Sequence, residues 1–217
     1  MILVAHRTPP TRAACEQLSA AGASVFEADV QVDGAGSVVV SHYLPFGAGG
    51  RVQRDNWRVR WHTAGARDLR LVELAELVPE GCQVLLDLKE RAAERRARLV
   101  GALVDTLADR SRFVVCGHPA ADVATLRAAG FRTWRSVGNP RQLAALLGAG
   151  PVPDEAITVR HTLLTRAVLD RLRERAPQVV AWTVNSTPRA LRLQRLGVAG
   201  VTTDSMAVLR ALSVELN

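Results

Sequence analysis

Short β-branched and apolar runs alternate with alanine- and leucine-rich stretches along almost the whole chain. The runs have the length and turn-residue borders of strands, and the stretches between them have helical periodicity. The pattern predicts strands over residues 2–6, 24–30, 38–42, 83–89, 112–116, 132–137, 156–160, 179–185 and 200–203. It predicts helices over 11–21, 92–108, 122–129, 141–147, 164–175 and 188–196. Several strands are apolar on both faces, so the sheet must be covered on both sides. Strand–helix alternation without a Pro/Gly/Ser-rich linker predicts one α/β domain over residues 1–217. That length sits near the low end for an eightfold β/α barrel.

Two intervals break the alternation. Residues 31–36, between the second and third strands, are far too few for a crossover helix, and Val32-Asp33-Gly34-Ala35-Gly36 has hairpin turn chemistry. An antiparallel hairpin arm is therefore expected after the second strand. With the turn centred on Gly34-Ala35, Glu27 would face His42 and Asp29 would face Val40. Residues 44–68 are rich in glycine, arginine and tryptophan, lack clean periodicity, and read as a long loop, of a length that is usually functional or mobile.

Composition narrows the class. With 48% hydrophobic and 23% charged residues, the chain is neither disordered nor collagen-like. It carries 28 basic against 21 acidic residues, a net charge of +7, and all the bases but Lys89 are arginine. Such a surface favours anionic partners: phosphoesters, an anionic membrane surface or nucleic acid. Nucleic acid is not expected, because the arginines from Arg91 to Arg98 are interleaved with acids and read as a solvated helix face. Cys15, Cys82 and Cys116 have no paired or metal-like spacing and read as buried free thiols in a reducing compartment. The apolar run after Met1 is too short for a signal peptide and no run approaches a membrane span, so a cytoplasmic chain is expected.

Candidate chemistry gathers at strand ends. Glu27 and Asp29 are two apart on a strand, so both carboxylates face one way, and a cation between them would relieve their repulsion. Asp87 and Lys89 repeat that spacing. In a chain that otherwise uses arginine, Lys89 points to a site needing a compact ammonium rather than a planar fork. His6 and Arg7 close the first strand at the carboxyl end, where barrel enzymes place their sites, and histidine suits proton transfer. His62, His118 and His161 read as surface or loop residues, and Trp182 reads more readily as core than as site.

In sequence order these pieces resemble the glycerophosphodiester phosphodiesterase family, which has a phospholipase-C-like TIM barrel. Ala5-His6-Arg7 is similar to its opening motif. Glu27-Ala28-Asp29-Val30-Gln31 with Asp33-Gly34 and the run 38–42 is similar to its acid hairpin and following histidine. Asp87-Leu88-Lys89 resembles its acid-x-Lys strand, and the segments 181–185 and 197–204 resemble its C-terminal signature. The resemblance implies a TIM (β/α)8 barrel that hydrolyses a small anionic phosphodiester. It also implies a divalent ion, Mg2+ or Ca2+, on Glu27, Asp29 and Asp87. His6 and His42 would form the acid–base pair, Arg7 and Lys89 would hold phosphate oxygens, and Trp182 would line the pocket. The chain departs from the family pattern at the substrate end. Thr8 replaces a glycine, Pro9-Pro10-Thr11 stands where a Pro-Glu-Asn-Thr motif is usual, and Tyr43 replaces an aspartate. Asp87, where most of the family has glutamate, resembles the related sphingomyelinase D branch. Head-group cleavage of that kind, or a non-catalytic phosphoester- or protein-binding barrel, are the alternative readings.

Overall fold

Strands that are apolar on both faces have no solvent side, and a set of them loses its edges only by closing on itself. The computed structural model, which describes residues 1–41, 44–46, 50–55, 58–62, 69–90 and 92–214, shows that closure. The first half of the chain forms β1 (Ile2–Ala5), α1 (Arg12–Ala20), β2 (Val25–Val32), β3 (Val38–Val40), β4 (Leu44–Phe46), β5 (Gly50–Asp55), β6 (Arg58–His62), β7 (Leu69–Arg70), α2 (Leu71–Leu77) and β8 (Gln83–Leu88). A regular alternation follows: α3 (Ala93–Thr106), β9 (Phe113–Gly117), α4 (Ala120–Ala128), β10 (Arg132–Val137), α5 (Pro140–Gly148) and β11 (Ala156–Arg160). It ends with α6 (Arg166–Arg173), β12 (Gln178–Trp182), α7 (Thr187–Leu196), β13 (Gly200–Thr203) and α8 (Met206–Val214). No helix among the described residues is long and apolar enough to cross a membrane.

Eight parallel strands, β1, β2 and β8–β13, make the TIM barrel. The last strand pairs back onto the first, from Ile2 opposite Gly200 to Ala5 opposite Thr203. Gly200 permits this closure. A Cβ there would sit 2.6 Å from the Ile2 carbonyl oxygen, inside van der Waals contact with backbone that cannot swing away. The barrel is filled by Val4, Val25, Leu85, Val114, Trp134, Ala156 and Val180, while a larger apolar layer packs between barrel and helices. Each fully buried Leu, Val or Phe side chain contributes about 1.5–3 kcal/mol, so the double layer supplies the cohesion that the chain's few aromatics do not.

Local signals fix where helices begin. The Thr11 side chain accepts from the Ala14 N–H, Asn139 from the Gln142 N–H and Thr165 from the Val168 N–H, each satisfying a first-turn donor. Pro140 and Pro188 stand in the first turns of their helices, where a missing N–H costs nothing.

The hairpin arm is present, with a different register from the one expected. Val30 faces Val40, Gln31 faces Val39 and Val32 faces Val38, so Asp29 does not face Val40. The cause is the turn. The Asp33 carboxylate accepts from the N–H groups of Ala35 and Ser37, Gly36 takes φ +87°, and the five residues between the strands centre the loop on Ala35. A shift of one residue turns the partner's side chains to the other face, so the expected Glu27–His42 pairing loses its basis; His42 itself lies outside the described residues. Beyond the arm, β7 pairs with β3. The segment read as an irregular loop instead contains an antiparallel sheet of β4, β5 and β6, which places His62 at a strand end. One of its strands alternates in the sequence, Arg58-Val59-Arg60-Trp61-His62, but over so short a run the period is easily missed.

The carboxyl end of β2 is clamped from β8. The Glu90 carboxylate accepts from the Val32 N–H at 3.0 Å and from Arg95, whose guanidinium also reaches the Val32 carbonyl. Burial alone would raise the Glu90 pKa, but these hydrogen bonds outweigh it and hold the carboxyl below its ordinary value of 4.5.

Two stability predictions follow from these contacts. Gly200→Ala should cost about 1–3 kcal/mol in urea unfolding through overpacking at the closing strand pair; a change near zero would mean closure does not need glycine there. Because the Glu90 pKa is depressed in the folded chain, its contribution is complete above about pH 4.5 and is lost as pH falls through the lower folded value. Glu90→Gln should therefore be less stable than the parent at pH 7, with the gap narrowing in acid. A gap independent of pH would show that charge plays no part.

Candidate active site

The barrel register brings the acids together before any loop contributes. Asp29 on β2 lies directly beside Asp87 on β8, and Glu27 stands one inward position earlier on the same strand. One oxygen from each of Glu27, Asp29 and Asp87 falls within 4.8 Å of the others. Glu27 and Asp29 are buried, at 4% and 3% exposure, where uncompensated carboxylates are costly. Burial, then the Asp87 charge beside it, pushes the Glu27 pKa up to about 7.

Lys89 answers part of that charge. Its ammonium lies 3.0 Å from Asp29 and 2.5 Å from Asp87. Burial would lower its pKa, but the Asp87 and Glu27 carboxylates prevail and hold it above the ordinary lysine value. Three acids against one ammonium leave an all-oxygen donor set with excess negative charge. That set fits a hard divalent cation such as Mg2+ or Ca2+ and suits zinc poorly.

The turn after β1 completes this side of the cleft. Arg7 adopts φ +59°, an uncommon conformation for a residue with a Cβ, and thereby aims its N–H at the Glu27 carboxylate, 2.9 Å away. Thr8, which stands where the resemblance expects glycine, spends both its N–H and its hydroxyl on the Glu27 carbonyl, each at 2.8 Å. His6 is held from the far end of the chain. Its Nδ1 lies 2.7 Å from an Asp204 oxygen, and its Nε2 lies 3.8 Å from Glu27. The other Asp204 oxygen accepts from the Asn185 amide, whose own oxygen accepts from the Thr203 hydroxyl and the Asp204 N–H. Burial would raise the Asp204 pKa, but the hydrogen bond and charge of His6 outweigh it and keep the acid ionised below its ordinary value. An ionised carboxylate only accepts, so Nδ1 carries a proton, and in the neutral imidazole the lone pair is on Nε2.

These residues share one cleft of about 800 Å³ at the carboxyl ends of the barrel strands. It brings together His6, Arg7, Glu27, Asp87, Lys89 and Trp182, with Asp29 bound to Lys89 beneath them. His42 lies outside the described residues. Asp204 emerges as the partner of His6, with Asn185 holding Asp204 in turn; no local pattern pairs them, since 198 residues separate the imidazole from its carboxylate. His118 is exposed, as expected, and also lines the cleft just after β9, where partial desolvation lowers its pKa. Cys116 stands beside Asp87 in register at the floor, where burial drives its thiol pKa well up, so it is an un-ionised thiol.

Residues 131–208 match the model of the glycerophosphoryl diester phosphodiesterase family. A 48-residue segment is 35% identical to YhdW of Bacillus subtilis (strain 168), a curated relative named as a glycerophosphodiester phosphodiesterase; it spans 22% of this chain and 20% of that protein. Among solved structures, a phosphodiesterase of Oleispira antarctica in complex with the product sn-glycerol-3-phosphate superposes with a TM-score of 0.73 at 16% identity, over 98% of this chain and 97% of that one. The glycerophosphodiester phosphodiesterase of Thermotoga maritima gives 0.71 at 18% identity, over 100% and 98%. At such identities the superpositions speak to the shared barrel.

If Lys89 partly neutralises the acid cluster, Lys89→Met should lower the melting temperature in chelator, and millimolar Mg2+ or Ca2+ should raise it by more than in the parent. An equal metal-induced shift in both proteins would show that the ammonium and the cation do not share the same negative field.

Proposed function

We propose that this chain, whose residues 131–208 match the glycerophosphoryl diester phosphodiesterase family model, is a single catalytic domain of that family that hydrolyses a small anionic diester of the glycerophosphodiester type. The observation that carries the reading is one cleft joining three converging carboxylates, an ammonium and a carboxylate-oriented imidazole. Hydrolysis forms a P–O bond to water, breaks the P–O bond to the alcohol, and moves one proton off the water and one onto the leaving oxygen. The first transfer falls to His6, a reading supported by its Nε2 lying toward Glu27 while Asp204 holds Nδ1. The second falls to His42, by the family resemblance.

Arg7 and Lys89 hold the non-bridging phosphate oxygens, Lys89 as a compact charge already fixed between Asp29 and Asp87. A divalent ion held by Glu27, Asp29 and Asp87 would supply the remaining neutralisation of phosphoryl charge. Trp182 forms part of the wall against which the alcohol rests. The Oleispira antarctica protein binds sn-glycerol-3-phosphate as its product on the same barrel, which supports a diester of that kind here.

On a diester with an alkyl leaving group, His6→Ala should lower kcat by about a hundredfold or more. Asp204→Asn should lower kcat by roughly tenfold or more with little change in KM, and combining it with His6→Ala should add almost nothing, because the two act as a unit. Undiminished turnover in His6→Ala would sink the hydrolytic reading. Additive losses would show that Asp204 acts otherwise than through His6.

A further inference from the structure

The cleft, at about 800 Å³, is far larger than a phosphate and one cation require. Among the described residues, its lining divides sharply by charge. Every Asp, Glu, Lys and Arg in it lies on or just after β1, β2, β8 or β13. The side built by β9–β12 and the start of α5 carries none; it presents His118, Ser136, Asn139, Gln142, Thr158 and Trp182.

The hydrogen bonds of that side show what it can still offer. The Gly138 N–H donates to the Gln142 side-chain oxygen at 2.7 Å, and the Asn139 side-chain oxygen accepts from the Gln142 N–H at 3.0 Å. With both amide oxygens committed to backbone, the two carboxamide NH2 groups are the donors left for a ligand. Ser136 and Thr158 stand opposite one another in the β10–β11 register, so two hydroxyls, each able to donate and accept, lie side by side. The edge of the Trp182 six-membered ring passes over Gly138, within 3.5 Å of where a Cβ would be. An uncharged wall of amides and hydroxyls beside one indole matches a particular ligand chemistry: hydroxyl groups on a compact carbon frame with a C–H face to lay on the ring.

We propose that this wall seats the alcohol part of the substrate and selects a neutral polyol, an open glycerol or a ring such as inositol, over a quaternary ammonium head group or an acyl chain. The proposal rests on the hydrolytic reading of the same cleft and adds the class of leaving alcohol. A quaternary ammonium is recognised by several aromatic faces or a nearby carboxylate, and among the described residues this side has one indole and no acid. An acyl chain needs a continuous apolar groove, which amides and hydroxyls interrupt.

The test is calorimetric titration of the full chain, in the presence of Mg2+ or Ca2+, with myo-inositol 1-phosphate and with phosphocholine. The inositol ester should bind at least tenfold more tightly. Gln142→Glu keeps an oxygen for the Gly138 N–H and replaces the outward amide donor with a carboxylate oxygen, so it should shrink the preference to threefold or less. Equal or tighter binding of phosphocholine, binding of neither ester, or a preference that Gln142→Glu leaves unchanged overturns the proposal. Hydrolysis of bis(p-nitrophenyl) phosphate, measured on the same preparation, separates the two readings. Selective binding without hydrolysis would sink the enzyme and keep the polyol wall, and hydrolysis without selectivity would sink only the wall.

Discussion

Asp29 and Asp87 lie side by side on adjacent parallel strands, and two carboxylates so placed are tolerated only if positive charge is brought to them. Much of the upper barrel is organised around that requirement. Lys89 is drawn onto both acids from the residue just after β8, the Arg7 N–H is turned toward Glu27 by an uncommon backbone conformation, and Thr8 fastens that turn to the Glu27 carbonyl. The neighbouring Glu90, one residue beyond the ammonium, is directed away from the cluster and closes the end of β2 with Arg95. Adjacent residues thus serve separate ends: Lys89 keeps negative charge tolerable inside the cleft, and Glu90 keeps the strand carrying that charge in place.

The arginine-rich surface has a similarly local explanation. Arg110 reaches the carbonyls of Leu107, Val104 and Ala129, and Arg112 reaches those of Val78, Pro79 and Cys82. These are carbonyls at or beyond helix ends, where a fixed planar fork satisfies several acceptors at once. Arg127 and Arg135 converge on the fully buried Asp154 carboxylate, which also accepts from Thr133. A net charge that suggests anionic partners when read from composition is therefore, in these places, part of the scaffold. Lys89 stands apart because a point charge between two acids is a different task from bridging carbonyls.

Strand and helix positions were legible in the sequence because each element carries its own periodicity. The 132–137, 156–160 and 200–203 strands fall where the pattern puts them. The short α2 and the terminal α8 escaped, the first for want of length and the second because an apolar run after a strand gives no sign of its period. The hairpin register was missed by one residue because the Asp33 side chain builds a five-residue turn, a choice made by two hydrogen bonds that composition does not reveal. The acids and Lys89 were readable from i, i+2 spacing. Asp204, Asn185 and His118 were not, since their value comes from strands brought together around a closed barrel and no local pattern encodes that neighbourhood.

Barrel closure also sets a schedule. The acid cluster is complete in the chain once β8 has been made, but the imidazole of His6 acquires its carboxylate only when Asp204, after the last strand, docks beside the first. A nascent chain lacking β13 would hold the anionic half of the centre beside a histidine whose tautomer nothing fixes. The orientation of the imidazole thus arrives in the same event that joins the two ends of the sheet, and an incompletely folded barrel leaves that ring without its carboxylate.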